Sequence, residues 1–299
     1  MTPKYDVSHL LLPPLRKDIW LMKLRKCSYC SAYWLFSIAL AVLQGTTQGQ
    51  SIEYHGQILP LCLDAYRKEF SSPFSAALRP AAWNYSPKRA LGLYAENRFM
   101  LRQVADMQAA ASIPLQSTVL SISGHYKGTR FLSAQSIGVG LGMKLSARLS
   151  AGINISSQWM RISSVGSIHS IVVDGGLLYA INEKVLWGIH VRKGVMTTKT
   201  HERSREKPQL IAGIGYALNK QLFIAYEISA TSANQLISAV GIEWRATEKI
   251  HFRAGSNHPL NNLFIGAAKK GNREKISLGF SSHAMLGYSG AILLEHALQ

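Results

Sequence analysis

The clearest pattern in the chain is a period-two alternation that recurs four times. In Gly213-Ile214-Gly215-Tyr216 the large apolar residues take one parity and the glycines take the other. Such alternation puts the two sets on opposite faces of a β-strand. A polar break at Asn219-Lys220 reverses the chain, and Leu222 and Ile224 resume the apolar face while Phe223 and Ala225 lie opposite. The unit reads as a β-hairpin with one apolar face. Three further copies align with it without a gap. They run from Gly140 through 146–148 to Gly152, from Gly176 through 182–184 to Gly188, and from Gly241 through 247–249 to Arg253.

Large pairs follow the first glycine of each copy: Leu141/Met143, Leu177/Tyr179, Ile214/Tyr216 and Ile242/Trp244. The opposite face carries Gly142, Gly152, Gly188, Gly215, Glu243, His251 and Arg253. A soluble sheet buries its apolar face in a shared core, whereas a transmembrane barrel turns that face to lipid and keeps a polar interior. The small and polar second face favours the barrel. Tyr179, Tyr216 and Trp244, beside the turns, then belong to an interfacial girdle. A soluble meander would instead place the same aromatics in its core.

The alternation extends over most of the chain. Strands are expected near 89–100, 103–113, 116–125, 135–145, 148–161, 166–181, 184–193, 208–218, 221–231, 234–245, 249–256, 261–269, 273–281 and 286–295. Most of these spans are close to the roughly 9–11 residues that cross a bilayer. The fold class is therefore all-β: a transmembrane, antiparallel, up-and-down barrel of about 14 strands, or 12 if Pro114 or the weakly patterned stretch 256–275 breaks the count. Short turns at 146–148, 182–184, 219–220 and 246–248 should alternate with longer connections at the other end. Residues 51–87 do not alternate; Pro73 and Pro80 punctuate a small-residue stretch there. Segment 50–87 reads as a non-strand plug or periplasmic cap, and 88–299 as the barrel.

Composition sharpens this picture. Only 16% of the residues are charged against 47% hydrophobic, which fits a chain with much of its surface in lipid. Residues 23–49 have the build of a secretory signal: Lys23, Arg25 and Lys26, then an apolar run from Ala32 to Val42-Leu43, then small residues. The run is too short to span a bilayer as a helix. Met22 is the candidate start, which would leave 1–21 outside the protein. The net charge is +17, and removing 1–49 leaves 27 basic and 14 acidic residues. In an exported barrel that balance points to outer-membrane lipid and lipopolysaccharide phosphates as partners, and not to nucleic acid. The loop 193–208 concentrates it, with Lys199, His201, Arg203, Arg205 and Lys207 as a candidate external basic patch.

Chemistry-bearing motifs are sparse. Cys27-x-x-Cys30 would leave with the signal, which makes Cys62 the sole mature cysteine. Neither a metal-ligand spacing nor a glycine-rich phosphate loop is present. No cofactor, metal or catalytic residue is expected, and the chain does not read as an enzyme. The nearest Ser–His neighbours are His169-Ser170 and Ser256-Asn257-His258. Inner-parity positions His190, Arg192, Glu227, Glu243, His251 and Arg253 are candidate lumen-lining residues. They read either as a solvated, mutually paired lumen or as a binding or selectivity lining.

A family resemblance fits this pattern. Ser72-Pro73-Phe74-Ser75-Ala76-Ala77-Leu78-Arg79-Pro80-Ala81 resembles the opening of FadL-type barrels, with Arg79 where that family carries the asparagine of Asn-Pro-Ala. Leu93-Tyr94-Ala95-Glu96-Asn97-Arg98-Phe99, Ala110-Ala111-Ser112-Ile113-Pro114 and the Gly140–Ser146 stretch resemble the PorV/PorQ relatives, barrels that accompany type IX secretion. The resemblance implies a Gram-negative outer-membrane barrel. With Arg79 altered, it implies a secretion-accessory or surface-assembly role with secreted or surface proteins as partners. The alternative it implies is a FadL-like channel for small or hydrophobic molecules.

Overall fold

Four turns set the frame of the wall. Six residues after the first glycine of each hairpin stands a short polar residue: Ser146, Asn182, Asn219 or Thr247. Its side-chain oxygen accepts hydrogen bonds from the backbone N–H groups two and three residues on. Asn219 Oδ1 accepts from Gln221 at 2.8 Å and Leu222 at 2.7 Å, and Asn182 Oδ1 from Lys184 at 2.8 Å and Val185 at 2.9 Å. Ser146 and Thr247 do the same with their hydroxyls. These side chains mimic a backbone turn, which fixes each reversal and hence the register of the strands it joins.

A computed structural model of the chain describes residues 61–68, 72–83, 89–101, 104–129, 131–164, 166–198, 208–231, 235–258, 262–283 and 285–298. The expected signal and Met22 start fall outside the described residues, as do Lys199, His201, Arg203, Arg205 and Lys207. Fourteen strands form a closed antiparallel barrel in which each pairs with its sequence neighbours and the last returns to the first. They are β1 (Ala90–Asn97), β2 (Ala105–Pro114), β3 (Thr118–Gly128), β4 (Leu132–Lys144), β5 (Leu149–Ile162), β6 (Gly166–Ala180), β7 (Val185–Thr198), β8 (Gln209–Ala217), β9 (Leu222–Thr231), β10 (Gln235–Arg245), β11 (Ile250–His258), β12 (Asn262–Lys270), β13 (Glu274–His283) and β14 (Gly287–Ala297). Closure joins the last strand to the first: Ala90 pairs with Ala297, and Asn97 with Gly290.

The two faces separate as the alternation requires. Ile153, Ile155, Leu177, Ile214, Ile242, Phe252 and Ile276 are exposed on the outside although large and apolar. A continuous exposed apolar belt on a closed barrel is stable in hydrocarbon and not in water, so the barrel is a transmembrane one. Tyr179, Tyr216 and Trp244 lie on that face beside the turns, and Trp244 stacks on Phe252 at 5.7 Å.

Three details differ from expectation. Pro114 does not interrupt a strand; it ends β2, where it pairs with Val119. Arg98–Met100 leave the strand after Asn97 and form a helical turn in which Phe99 and Met100 take φ of 56° and 54°. The connections opposite the four turns are not generally longer. Those at 129–131, 163–165, 232–234, 259–261 and 284–286 are as short as the turns, and only 98–104 and 199–208 are longer. The extra height comes instead from β4 to β7, whose strands run to between 13 and 15 residues.

Candidate functional site

The inner face has to be filled or hydrated, and residues 61–68 and 72–83 fill its turn end. None of these described residues joins a strand ladder. Helix α1 (Leu61–Ala65) packs on β8 to β10, helix α2 (Pro73–Leu78) on β1 to β4, and the 3-10 turn Pro80–Trp83 on β4 to β6. Ser72 caps α2 by accepting from the Phe74 N–H at 3.2 Å, with Pro73 at the first helical position. Leu63, Ala65 and Tyr66 are fully buried against Leu178, Leu186, Phe223 and Ala225. Phe74 packs edge-on to Tyr94, with ring centroids 6.4 Å apart.

The inner glycines are the seat of this plug. A Cβ on Gly213 would meet the Tyr66 ring, one on Gly215 the Tyr66 carbonyl, one on Gly152 the Pro80 carbonyl, and one on Gly92 the Phe74 ring. Glycine here serves close approach of a second piece of backbone.

Charge fastens the plug to the wall. Glu243, on β10 and 0% exposed, accepts from Arg67 Nη1 at 2.6 Å and from Arg253 Nε at 2.8 Å. Arg253, on β11, turns its remaining nitrogens to Asp64 of the plug, at 2.9 and 3.1 Å. Arg67 also lies over the Phe223 ring, 4.3 Å from its centroid. On β9, Glu227 accepts from Arg79 Nη2 at 2.7 Å and from the Tyr66 hydroxyl at 3.1 Å. Burial disfavours the Arg79 charge, but the Glu227 carboxylate offsets that and holds the guanidinium above its ordinary range. Ser150 donates to the Ala81 carbonyl at 3.0 Å. Isolated, each of these buried charges would be costly; paired and hydrogen-bonded, they specify one seat.

All six candidate lumen residues lie on the inner parity of their strands. Glu227, Glu243 and Arg253 contact the plug directly. His251 Nδ1 approaches Glu243 at 3.7 Å. His190 is 1% exposed, edge-on to the Tyr66 ring at 5.9 Å, and neither ring nitrogen has a hydrogen-bond partner among the described residues. Arg192 stands higher, where the β6–β7 register shifts between Val173 and Gly175. Lys193 takes φ of 56° at that bulge, and its N–H donates to Asp174 Oδ1 at 2.7 Å.

A second ionic group lies nearer the loop end of β1 to β3. Asp106 accepts from Arg98 at 3.2 Å and from Gln108 at 3.2 Å, and meets His125 Nε2 at 2.8 Å. Glu96 pairs with Arg98 at 3.2 Å and accepts from the Tyr94 hydroxyl at 2.6 Å. Inner parity along β1 to β3 was the available signal, because Glu96, Asp106, His125 and Lys127 all fall on it.

The local Ser–His neighbours come apart. His169 and Ser170 point to opposite sides of the wall, and His169 Nε2 instead meets Ser157 Oγ at 2.6 Å on the outer face. Ser256 and His258 share the outer parity of β11, and Asn257 lies on the other. Among the described residues no three His, Cys, Asp or Glu side chains are placed to hold a metal.

No family model matches the chain, and no curated protein does. Solved structures do match. The Ralstonia pickettii toluene transporter TbuX is similar with a TM-score of 0.57 at 13% identity, over 77% of this chain and 95% of that one. The CymD monoaromatic hydrocarbon channel gives 0.59 at 12%, over 78% and 93%. A Pseudomonas aeruginosa FadL homologue gives 0.51 at 11%, over 76% and 94%. The fold is that of FadL-type barrels. The likeness to PorV/PorQ rests on the sequence motifs alone.

Proposed function

We propose that the protein is an outer-membrane channel of the FadL type that passes small apolar molecules, with residues 61–83 as its stopper. The observation that carries this reading is that the stopper belongs to no ladder. It is held by side-chain ion pairs and close packing, so it can shift without breaking a backbone bond of the wall. The similar barrels support the same reading, since TbuX is a toluene transporter and CymD a monoaromatic hydrocarbon channel. The expectation of a secretion-accessory role drew on Arg79 as an altered plug residue. Arg79 instead anchors the plug to Glu227, and that reason for preferring partners over transport falls away.

The test is permeation. Wild-type protein in liposomes should admit a small monoaromatic hydrocarbon faster than a sugar of similar size. Glu227→Gln, which loosens the Arg79 anchor, should raise the rate. If neither form passes the hydrocarbon above protein-free liposomes, while secreted proteins co-purify with the barrel, the accessory role replaces this one.

A further inference from the structure

The loop-end half of the outer wall carries a depression of about 630 Å³. Cross-strand register explains it. One outer row reads Ala95, Met107, Tyr126, Gln135, Trp159 and His169 from β1 to β6; the next reads Leu93, Ala109, Gly124, Ile137, Ser157 and Ile171. Ala95, Ala109 and Gly124 form a small-residue floor among large neighbours. Leu93, Met107, Tyr126, Ile137 and Trp159 wall it.

Gly124 differs from the glycines that seat the plug. A Cβ there would meet nothing within 4 Å, so no described part of the chain requires the glycine. A strand glycine with no internal reason marks close approach by something outside the chain. One row above Trp159 the outer face turns cationic. Arg161 is exposed and lies between its register partners Ser133 and Ser167. Among the described residues it has no acidic partner. At about 3.3 Å per residue its Cα stands roughly 7 Å beyond that of Trp159. An outward arginine costs least at the interface, and tryptophan and tyrosine mark that level. Trp159 packs against His169 at 5.2 Å, and Ser157 fixes the His169 ring at 2.6 Å.

An apolar groove below a guanidinium flanked by two hydroxyls matches an acylated, phosphorylated amphiphile. We propose that this face binds lipopolysaccharide through its lipid A. One acyl chain lies over Ala109 and Gly124, and a phosphate is held by Arg161 with Ser133 and Ser167. The choice of lipid A over a glycerophospholipid rests on the outer-membrane reading above: the groove is in the half nearest the long connection 199–208, which is the external side of such a barrel.

The experiment uses the full exported protein, delipidated in detergent. Binding of lipid A, phosphate-free lipid A and phosphatidylglycerol is measured by native mass spectrometry. Wild type should retain lipid A at least tenfold better than either of the other two. Gly124→Leu fills the floor from a Cβ position that is itself free of contacts, and Arg161→Gln removes the cation; each should weaken lipid A retention about tenfold or more. Ala109→Leu replaces Gly124→Leu if that variant loses heat-modifiable gel migration. Unchanged retention in folded variants overturns the site. Equal retention of phosphate-free lipid A overturns the phosphate contact, and equal retention of phosphatidylglycerol overturns the choice of lipid A. The readout is independent of conduction, so a barrel that passes hydrocarbon but ignores lipid A sinks this proposal alone.

Discussion

The two faces of the same strands obey different rules. On the outer face most residues answer chiefly to lipid, and one large apolar side chain serves about as well as another. Ile153, Ile155 and Val139 could exchange places without a partner noticing. On the inner face of the plugged end, charged residues answer to particular atoms of a segment more than a hundred positions away: Glu243 to Arg67 at a separation of 176, Glu227 to Arg79 at 148. Outer positions are set by a medium, and inner positions by a contact.

The strongest way to break that contrast is at Glu243. Glu243→Ala leaves Arg67 and Arg253 buried without their shared carboxylate, and removing one partner of a buried pair costs about 3–5 kcal/mol. Most of that should appear as release of the plug. Limited proteolysis should cut within 61–83 far faster than in wild type, while gel migration still reports a closed barrel. A barrel that unfolds in step with the plug would merge the two faces into one cooperative unit.

Ile153→Arg and Asn154→Arg sharpen the contrast within one residue of sequence. Near the bilayer midplane an outward arginine costs about 2–4 kcal/mol, and inward changes cost less. Urea unfolding in lipid vesicles should separate the two variants by that order, and equal midpoints would contradict the assignment of the faces.

Gly215→Ala comes next. Its new methyl would press on the Tyr66 carbonyl, and overpacking of this kind costs about 1–3 kcal/mol. The wall should stay closed, the plug should loosen, and single-channel recordings should show more frequent opening. Unchanged recordings would mean that the plug accommodates the methyl. The smallest effect belongs at a turn that serves neither face. Asn219→Ala removes an acceptor used by two N–H groups and should lower stability by only about 0.5–1.5 kcal/mol, with conduction unaltered.

This contrast also decides what was legible in the sequence. The outer face was, because Leu141/Met143, Ile214/Tyr216 and their counterparts need only the two-residue period and the bilayer. Strand number followed from the same pattern. The inner parity of His190, Glu227, Glu243, His251 and Arg253 could be read from it as well. What those residues touch could not be read, since Glu243 carries no mark of its pairing with Arg67. Glycines 213 and 215 could be seen as small, but the reason, Tyr66, lies in a segment with no period of its own. The Glu96–Asp106–His125 group was missed although parity was available, because β1 to β3 lack the repeated hairpin that drew attention elsewhere. The even lengths of most connections were also hidden, because strand ends at the loop side trail into polar residues that read equally as strand or loop.

The plug's lack of backbone pairing has a consequence for the order of assembly. Residues 61–83 leave the ribosome before any strand of the wall. Their acidic partners on β9 and β10 arrive roughly 150 residues later, after more than half of the hairpins. Hairpins zip by neighbour contacts, which form fast, whereas contacts of such long separation wait for loop closure. The plug is thus the first piece made and among the last fixed. Until β9 and β10 are in place, Arg67 and Arg79 need water or a chaperone's acidic surface. On this order of contacts the wall closes before the plug is fixed.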